Sequence, residues 1–434
     1  MITNEEKQEI LNLLHKQVVP AIGCTEPMAV ALCVAKAVEK LRNLLGKKPG
    51  FMPEKITLSL SANILKNAMG VGIPGTGGMI GLPIAIALGA VGGKSCLELE
   101  VLRDCTDEDL AIAKQYIKEK QIDIKLEEND PDKLYIHVTV EAEGKSAQAT
   151  IKGSHTHFVG ESPSPNPSLV KKGDLPCDGT VSLTLNKVYE FATTMPLDDI
   201  RFILEAKRLN EAAAQEGLRE NYGHQLGKTM CSPLGRGIMG DNIFAKVLSV
   251  TSCACDARMA GAKIPVMSNS GSGNQGICAT MPVVVFAREN HNTEEELIRA
   301  LTLSHLTAIY IKQSLGTLSA LCGCVVASTG SSVGITYLMG GNFEQISYSV
   351  KNMIANLTGM ICDGAKPSCA LKLTTGVSTA VMSAMLAIQN KNVTSAEGII
   401  DDDVDRSIHN LTSIGSKGMD VTDRFVLNIM THKK

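Results

Sequence analysis

Apolar and polar positions follow two different patterns along the chain, one helical and one extended. Residues 4–17 carry apolar side chains at helical spacing, so that Ile10, Leu11, Leu13 and Leu14 lie on the inward side. This spacing predicts an N-terminal helix whose apolar side packs against the rest of the protein.

A second helix is predicted from about Glu26 to Leu45, after the segment AIGCTEP. Thr25 is a residue type that caps helices well, and Pro27 suits the first turn, where its missing N–H removes no hydrogen bond. We therefore expect Thr25 to be the N-cap of this helix.

The region from about Pro53 to Gly160 has the extended pattern. Its segments KITLSLSA, LELEV, QIDIKLE and KLYIHVTVEAEGKSAQATIKG alternate apolar and polar residues with a period of two. In the last segment the predicted inward residues are Leu134, Ile136, Val138 and Val140, and the predicted outward residues are Tyr135, His137 and Thr139. We interpret the region as an antiparallel sheet.

After Val181 the chain again has mostly helical spacing. Thr293 and Glu296 have the arrangement of a capping box, in which each side chain binds a backbone N–H of the other residue. This arrangement predicts a helix that continues to about Lys312.

These patterns divide the chain into a body, an insertion and a linker. The predicted fold class is α+β, with a mostly helical body made of residues 1–52 and 177–434. Residues 53–160 form an inserted antiparallel β-rich subdomain. The proline-rich segment 161–176 is interpreted as a linker.

Charge and hydropathy narrow the class of function. The chain has 42 basic and 45 acidic residues and a net charge of −3, so we expect no nucleic-acid partner. The N-terminal sequence MITNEEKQEI is unlike a signal peptide, and we expect a cytoplasmic protein.

Three stretches, residues 67–93, 264–287 and 313–343, lack charge and are long enough to span a bilayer. They are rich in Gly, Ser, Thr, Asn or Gln, and mean hydropathy is only +0.08, so we expect them to line a buried site, without a membrane partner.

Thirteen cysteines stand out in this composition. Thiols in a cytoplasmic chain stay reduced, and clustered cysteines there indicate a metal site or catalysis. Cys322, Cys324, Cys362 and Cys369 lie in two stretches rich in small residues, and no two cysteines have C-x-x-C spacing. Four thiolates could close a structural zinc site, and three could hold a [4Fe–4S] cluster with one open iron. Ordinary core cysteines are the third interpretation.

Cys24 precedes a predicted helix, where the helix dipole lowers the pKa of a thiol and makes it a plausible base or nucleophile. The charge of Glu26 opposes this effect, and a buried inert thiol is an equally good interpretation. The segments SGSGNQG at 270–276 and STGSS at 328–332 offer hydroxyl, amide and backbone N–H donors that suit a small carboxylate. Such donors favour an open site over a structural zinc site.

Four motifs, GCTEP, SGSGNQGI, CGCVVASTGSSVGITYLMGG and NMIANLTGMICDGAKPSCA, occur in this order. With them the chain resembles, over nearly its whole length, the L-cysteine desulfidase branch of the serine dehydratase α-chain superfamily. The resemblance implies that the helical body is a catalytic domain and that the protein is a homodimer. It also implies an oxygen-sensitive [4Fe–4S] cluster held by Cys322, Cys362 and Cys369, with Cys324 as a rival for the first position.

The cysteine of GCTEP acts as the base in this branch, which implies that role for Cys24. Dehydratases of the superfamily end in a cysteine tail that caps the open iron, whereas the last cysteine here is Cys369 and the sequence ends THKK. The absence of this tail fits the desulfidase branch.

The implied reaction is a β-elimination that converts L-cysteine into sulfide, ammonia and pyruvate. The residues expected to bind this small amino-acid substrate are Ser270, Ser272, Asn274 and Gln275, with Thr329 and Ser331 nearby and Lys366 balancing charge. Elimination from L-serine and a non-catalytic amino-acid-binding protein are the alternatives.

Overall fold

The computed structural model describes residues 2–119, 121–127, 132, 134–160, 181–316 and 319–432. Helices dominate these residues and are joined by two small sheets, which confirms the predicted α+β class and the mostly helical body. The predicted linker at 161–176 lies outside the described residues.

The elements of the described residues follow in chain order. The helices are α1 (Asn4–Gln17), α2 (Thr25–Leu45), α3 (Ala62–Ala68), α4 (Leu82–Val91), α5 (Asp107–Lys118), α6 (Leu185–Thr194), α7 (Leu197–Ile200), α8 (Leu204–Arg219), α9 (Leu226–Cys231), α10 (Pro233–Met239), α11 (Ile243–Met259), α12 (Gly273–Glu289), α13 (Glu294–Leu315), α14 (Gly323–Leu338), α15 (Phe343–Leu357), α16 (Cys369–Ile388), α17 (Val404–Ser413) and α18 (Asp420–Thr431). The strands are β1 (Pro20–Ile22), β2 (Lys55–Leu60), β3 (Ile122–Leu126), β4 (Tyr135–Ala142), β5 (Lys145–Lys152) and β6 (Pro265–Met267).

Helix ends agree with the sequence except at α2. The N-terminal helix spans Asn4–Gln17, and the capping box of Thr293 is present at the start of α13, so both predictions are confirmed. The prediction that Thr25 caps α2 is wrong, because Cys24 is the N-cap and Thr25 is the first helical residue. The Thr25 hydroxyl instead donates a hydrogen bond to Glu26 Oε2 at 3.1 Å.

The larger sheet has the strand order β3-β2-β4-β5. β4 pairs antiparallel with β2 and with β5, as predicted, but β2 and β3 pair parallel. The purely antiparallel prediction is therefore wrong at one edge. Three helices, α3 to α5, lie between β2 and β3, and such a long crossover returns the chain in the same direction.

The segment LELEV is not a strand, contrary to the prediction. It belongs to a short 3₁₀ stretch, Ser95–Glu100. The Ser95 N–H and hydroxyl donate hydrogen bonds of 2.9 and 2.5 Å to the two carboxylate oxygens of Glu39 in α2. This contact holds the segment against a helix, away from any sheet edge.

The two faces of β4 are assigned as predicted. Ile136, Val138 and Val140 are fully buried, whereas the residues between them are only partly buried. Helix α2 covers the buried face, and the Cys33 thiol lies 3.4 Å from the Ala149 carbonyl oxygen of β5. Alternation along the strand thus gives one side to the core and the other to solvent.

Two clusters of buried side chains form the core. The first cluster contains side chains of α6, of α8 and of every helix from α11 through α17. Within it, α14 packs against α12, α13, α15 and α16. The second joins α2, α4 and the larger sheet, so a helix that precedes residue 53 shares its core with the strands. The domain boundaries at 52/53 and 160/177 stay a prediction.

One helix of the described residues, Cys369–Ile388, is long and apolar enough to cross a membrane. Half of its most apolar window is buried inside the protein. Core helices of this kind pass the same test of length and composition.

Candidate active site

The N-terminal ends of four helices meet in one region of the protein. Cys24 is the N-cap of α2, Ser272 of α12 and Cys322 of α14, and Cys369 is the first residue of α16. The thiol of Cys369 interacts electrostatically with those of Cys24 and Cys322. Free N–H groups and the positive ends of the helix dipoles make such a region favourable for anions.

A short backbone bridge brings Cys322 and Cys362 together across forty positions of sequence. Leu321 and Ile361 pair in an antiparallel bridge. On either side of it, the Cys322 N–H donates to the Met360 carbonyl at 2.9 Å, and the Cys362 N–H donates to the Ala320 carbonyl at 2.6 Å. Both cysteines flank the same paired position, so their side chains leave the same face of the bridge.

Cys369 joins this pair from the start of α16. Its backbone N–H donates to the Lys366 carbonyl at 2.9 Å, which closes the loop that begins at Cys362. Burial raises the pKa of the Cys369 thiol to about 11, with smaller contributions from Cys322 and Cys362. The structure therefore brings the three predicted cluster ligands together, and their role as ligands stays a prediction.

The structure distinguishes Cys322 from its rival Cys324. The Cys324 thiol and backbone N–H donate to the Cys322 sulfur, and this holds the pKa of Cys322 below its ordinary value, with Lys372 contributing. The same hydrogen bond and burial raise the pKa of Cys324. Because the thiolate is the form that binds metal, this pattern favours Cys322 as the ligand.

The thiols suit an iron–sulfur cluster better than a single metal ion. Across the described ranges, no three Cys, His, Asp or Glu side chains form a group that could hold a metal ion. A [4Fe–4S] cluster requires a different arrangement, because each thiolate binds its own iron at a corner of a cube. Three soft thiol donors, two at helix N-termini and Cys362 at the backbone bridge between them, fit that requirement.

Cys24 is buried and has a carboxylate partner. Its thiol donates a hydrogen bond of 3.1 Å to Glu26 Oε2. Burial raises the pKa of Cys24 far above its ordinary value, the charge of Glu26 raises it further, and the charge of Arg258 opposes both. The thiol therefore carries its proton here, and Glu26 is the group placed to receive it.

The predicted substrate loop is fixed to the segment that leads to Cys24. β1 and β6 pair antiparallel, and the Ser268 N–H and hydroxyl donate to the Val19 carbonyl at 2.8 and 2.6 Å. Ser270 follows with φ of 49°, and its N–H donates to the Gln17 carbonyl at 3.0 Å. This pairing brings GCTEP and SGSGNQG together, although about 250 residues separate them in sequence.

Of the four predicted residues in this loop, only Gln275 has an unused polar atom that is buried. The Ser270 hydroxyl donates to Asn269 Oδ1 at 2.9 Å, and the Ser272 hydroxyl accepts the Gln275 N–H at 3.4 Å as the cap of α12. Asn274 Oδ1 accepts from Arg258 at 3.0 Å. Gln275 is 5% exposed, its Oε1 has no hydrogen-bond partner among the described residues, and its side chain lies against Gly323 at the start of α14.

Thr329 and Ser331 are placed differently from the cysteines. Both are fully buried inside α14, where Thr329 Oγ1 donates to the Val325 carbonyl at 2.8 Å and Ser331 Oγ to the Ser328 carbonyl at 3.0 Å. At about 1.5 Å per residue they lie roughly 10 Å or more along the helix from its cap, Cys322. The structure does not bring these two hydroxyls to the cysteines.

Lys366 lies within the cysteine loop itself. Its ammonium group pairs with the Asp363 carboxylate and also donates to the Asp363 carbonyl at 2.8 Å. Lys372 binds the same carboxylate. The two cations hold the pKa of Asp363 below its usual range, against the effect of burial. One carboxylate is shared by two ammonium groups, so the three side chains together carry a net positive charge.

Arg258 is the main residue that the sequence analysis missed. It lies near the end of α11 and is 4% exposed. Its Nη2 donates to the Gly23 carbonyl at 2.8 Å and its Nη1 to Asn274 Oδ1 at 3.0 Å. The available signal was an arginine near the end of a helix whose only other charged residues are Lys246 and Asp256.

Asn210 of α8 holds the strand and the helix on either side of the substrate loop. Its Oδ1 accepts the Met267 N–H at 2.9 Å, and its Nδ2 donates to the Gly276 carbonyl at 3.3 Å. Replacing Asn210 with alanine leaves these buried groups without partners, so we expect the free energy of unfolding to fall by about 1–3 kcal/mol. Urea denaturation measures this loss.

Asn12→Ala, at an exposed position of α1, is the matched control and should change stability by less than about 0.5 kcal/mol. An Asn210→Ala protein as stable as this control would contradict the assigned role of Asn210.

Comparison with known proteins adds the family context. A family model described as serine dehydratase alpha chain matches residues 97–428. The chain is 63% identical to a UPF0597 protein of Bacteroides fragilis strain YCH46 over 100% of both chains. It is 50% identical to a UPF0597 protein of Porphyromonas gingivalis strain W83 and 46% identical to one of Oleidesulfovibrio alaskensis strain G20, each over 99% of both chains.

Proposed function

Because this chain belongs to the serine dehydratase alpha chain family, we propose that it is a lyase of this type that uses a [4Fe–4S] cluster to eliminate sulfide from L-cysteine. The observation that carries the proposal is the meeting of Cys322, Cys362 and Cys369 beside Cys24 at four helix N-termini. A homodimer and a cytoplasmic location belong to the same proposal.

In the proposed enzyme, Cys322, Cys362 and Cys369 would hold the cluster. When bound, the cluster would supply a Lewis-acidic iron with a preference for the leaving sulfur. The helix N-termini around the three cysteines stabilise the negative charge of the thiolates and of the substrate carboxylate. Lys372, which interacts with Cys322 and Cys362, adds a positive charge on the same side.

The residues of the chain supply the proton transfer. Cys24 removes the α-proton of L-cysteine, and Glu26, already hydrogen-bonded to the thiol, accepts the proton that Cys24 must lose first. The bond between the β-carbon and sulfur breaks, and sulfide and 2-aminoacrylate result. Water then converts aminoacrylate into pyruvate and ammonia.

Substrate preference is the most direct test of this proposal. We expect anaerobically purified protein to contain about four irons and four sulfides per chain. We expect kcat/KM for sulfide release from L-cysteine to exceed that for pyruvate formation from L-serine at least about 100-fold, or ~2.7 kcal/mol, because soft sulfur is the better ligand and leaving group.

Two results would overturn the proposal in different ways. A preference for L-serine would assign the activity for which the family is described, with the same residues in the same roles. Zinc or no metal, with no turnover of either amino acid after anaerobic reconstitution, would leave an amino-acid-binding protein.

A further inference from the structure

The Arg258 guanidinium is a buried positive charge whose hydrogen-bond partners are both neutral. It donates to a backbone carbonyl, that of Gly23, and to an amide oxygen, that of Asn274. An arginine offers five N–H donors in a planar fork, and it stays charged in proteins. Burying such a charge is costly unless an anion neutralises it.

One edge of this guanidinium is left unused by the residues that the structure describes. Within the described residues, the Arg258 Nε–H is buried and donates to no hydrogen-bond partner. The guanidinium lies against Gly273, where a Cβ would overlap Arg258 Nε and Cζ. Only glycine at this position leaves room for the guanidinium. The unused Nε–H edge, next to the first turn of α12, is thus built into the fold.

A complementary acceptor lies next to it in sequence. Gln275 follows Asn274, which Arg258 binds, and its Oε1 is also buried without a partner among the described residues. A free donor and a free acceptor therefore flank the same helix N-terminus. An α-amino acid presents the matching pair, a carboxylate that accepts and an ammonium that donates.

The position of Arg258 relative to Cys24 adds a geometric requirement. The carboxylate and the α-proton of an amino acid are attached to the same carbon, so the group that binds one must lie close to the base that removes the other. Arg258 binds the carbonyl of Gly23, the residue directly before Cys24. This contact provides that proximity.

We propose that Arg258 binds the carboxylate of an α-amino acid substrate through its Nε–H edge, while Gln275 Oε1 accepts a hydrogen bond from the substrate ammonium. The assignment rests on the proposed function and deepens it, because it specifies a substrate with a free carboxylate. A purely structural Arg258 would link Gly23 to Asn274 and would be indifferent to the charge of the ligand.

Calorimetric binding of an amino acid and of its amide to the anaerobically reconstituted protein tests the assignment without turnover. L-Alanine has no leaving group on its β-carbon, and L-alaninamide differs from it by replacing the carboxylate with a neutral amide. The wild type should prefer L-alanine. In Arg258→Gln, affinity for L-alanine should fall about 10- to 100-fold, whereas affinity for L-alaninamide should change less than about twofold.

Arg236→Gln, at an exposed position of α10, is the matched control and should bind both ligands like the wild type. Arg258→Lys keeps the charge but lacks the Nε–H edge, so we expect L-alanine to bind it at least about 10-fold more weakly than the wild type. This variant and a thermal melt of each protein keep the test valid if Arg258→Gln does not fold.

An Arg258→Gln protein that loses both ligands equally, or neither, would overturn the carboxylate assignment. So would a wild type that releases sulfide from L-cysteine yet does not prefer L-alanine. A wild type that neither binds L-alanine nor releases sulfide would overturn the proposed function together with it.

Discussion

Replacing Cys362 with serine is expected to remove iron from the protein and to lower sulfide release at least about 10³-fold, or ~4 kcal/mol. A serine hydroxyl is a hard ligand that keeps its proton at neutral pH, so it does not replace a soft thiolate on iron. The bridge that positions Cys362 uses only backbone groups, the Cys362 N–H and the Ala320 carbonyl. The fold should therefore survive, and thermal unfolding together with iron and sulfide analysis measures both effects.

Cys96→Ser provides the matched control, because Cys96 is an exposed free thiol in the 3₁₀ stretch. It should keep wild-type iron and activity. Cys322→Ser should behave like Cys362→Ser, whereas Cys324→Ser should retain iron, because a serine hydroxyl can still donate to the Cys322 sulfur. Full iron content in Cys362→Ser would remove that residue from the ligand set.

Replacing Cys24 with alanine is expected to leave the iron content unchanged and to lower kcat by about 10²–10⁴-fold, the usual contribution of a general base. Cys24 is the cap of α2 but makes no side-chain capping bond, so the helix should still form. Exchange of the α-proton of L-alanine in D₂O isolates this step, since it requires a base and no leaving group. Wild type should exchange the proton, and Cys24→Ala should not.

Glu26→Gln is the companion variant that tests the proton partner. Burial is the main cause of the raised pKa of Cys24, and the Glu26 charge raises it further. Removing that charge lowers the pKa of Cys24, so the rising limb of the pH–kcat/KM profile should shift to lower pH. The same replacement removes the acceptor of the Cys24 proton, so kcat should fall on the plateau. For the preceding variant, Cys24→Ala, an α-proton exchange as fast as that of the wild type would assign the base to another residue.

Local patterns in the sequence were sufficient to predict many of the helices and strands. The capping box of Thr293 and the alternation along β4 depend on neighbours within a few residues, and both are present as predicted. The parallel pairing of β2 with β3 is different, because it is decided by three helices between the strands. The 3₁₀ stretch at LELEV likewise depends on a distant carboxylate, Glu39.

In the candidate site, too, features set by nearby residues could be predicted and features set by distant residues could not. The cysteines could be singled out by residue type, but the bridge between Leu321 and Ile361 that brings two of them together has no signature in either segment. Thr329 and Ser331 illustrate the opposite problem, since hydroxyls inside a helix can bind a ligand or their own backbone. Here both bind carbonyls of α14, and a sequence pattern does not separate the two uses.

Helix α2 begins directly after its N-cap, Cys24, and its buried side chains pack in the core of the larger sheet. Its 21 residues span about 31 Å. Cys24 itself packs in the first cluster, and Arg258 binds the carbonyl of the residue before it. A rotation of about 3° about the C-terminal end of α2 would move the thiol by about 1.6 Å, and a displacement of about 1 Å can cost 10²-fold in rate. The packing of the strands, which contribute none of the proposed cluster ligands, therefore helps to set the alignment of the thiol.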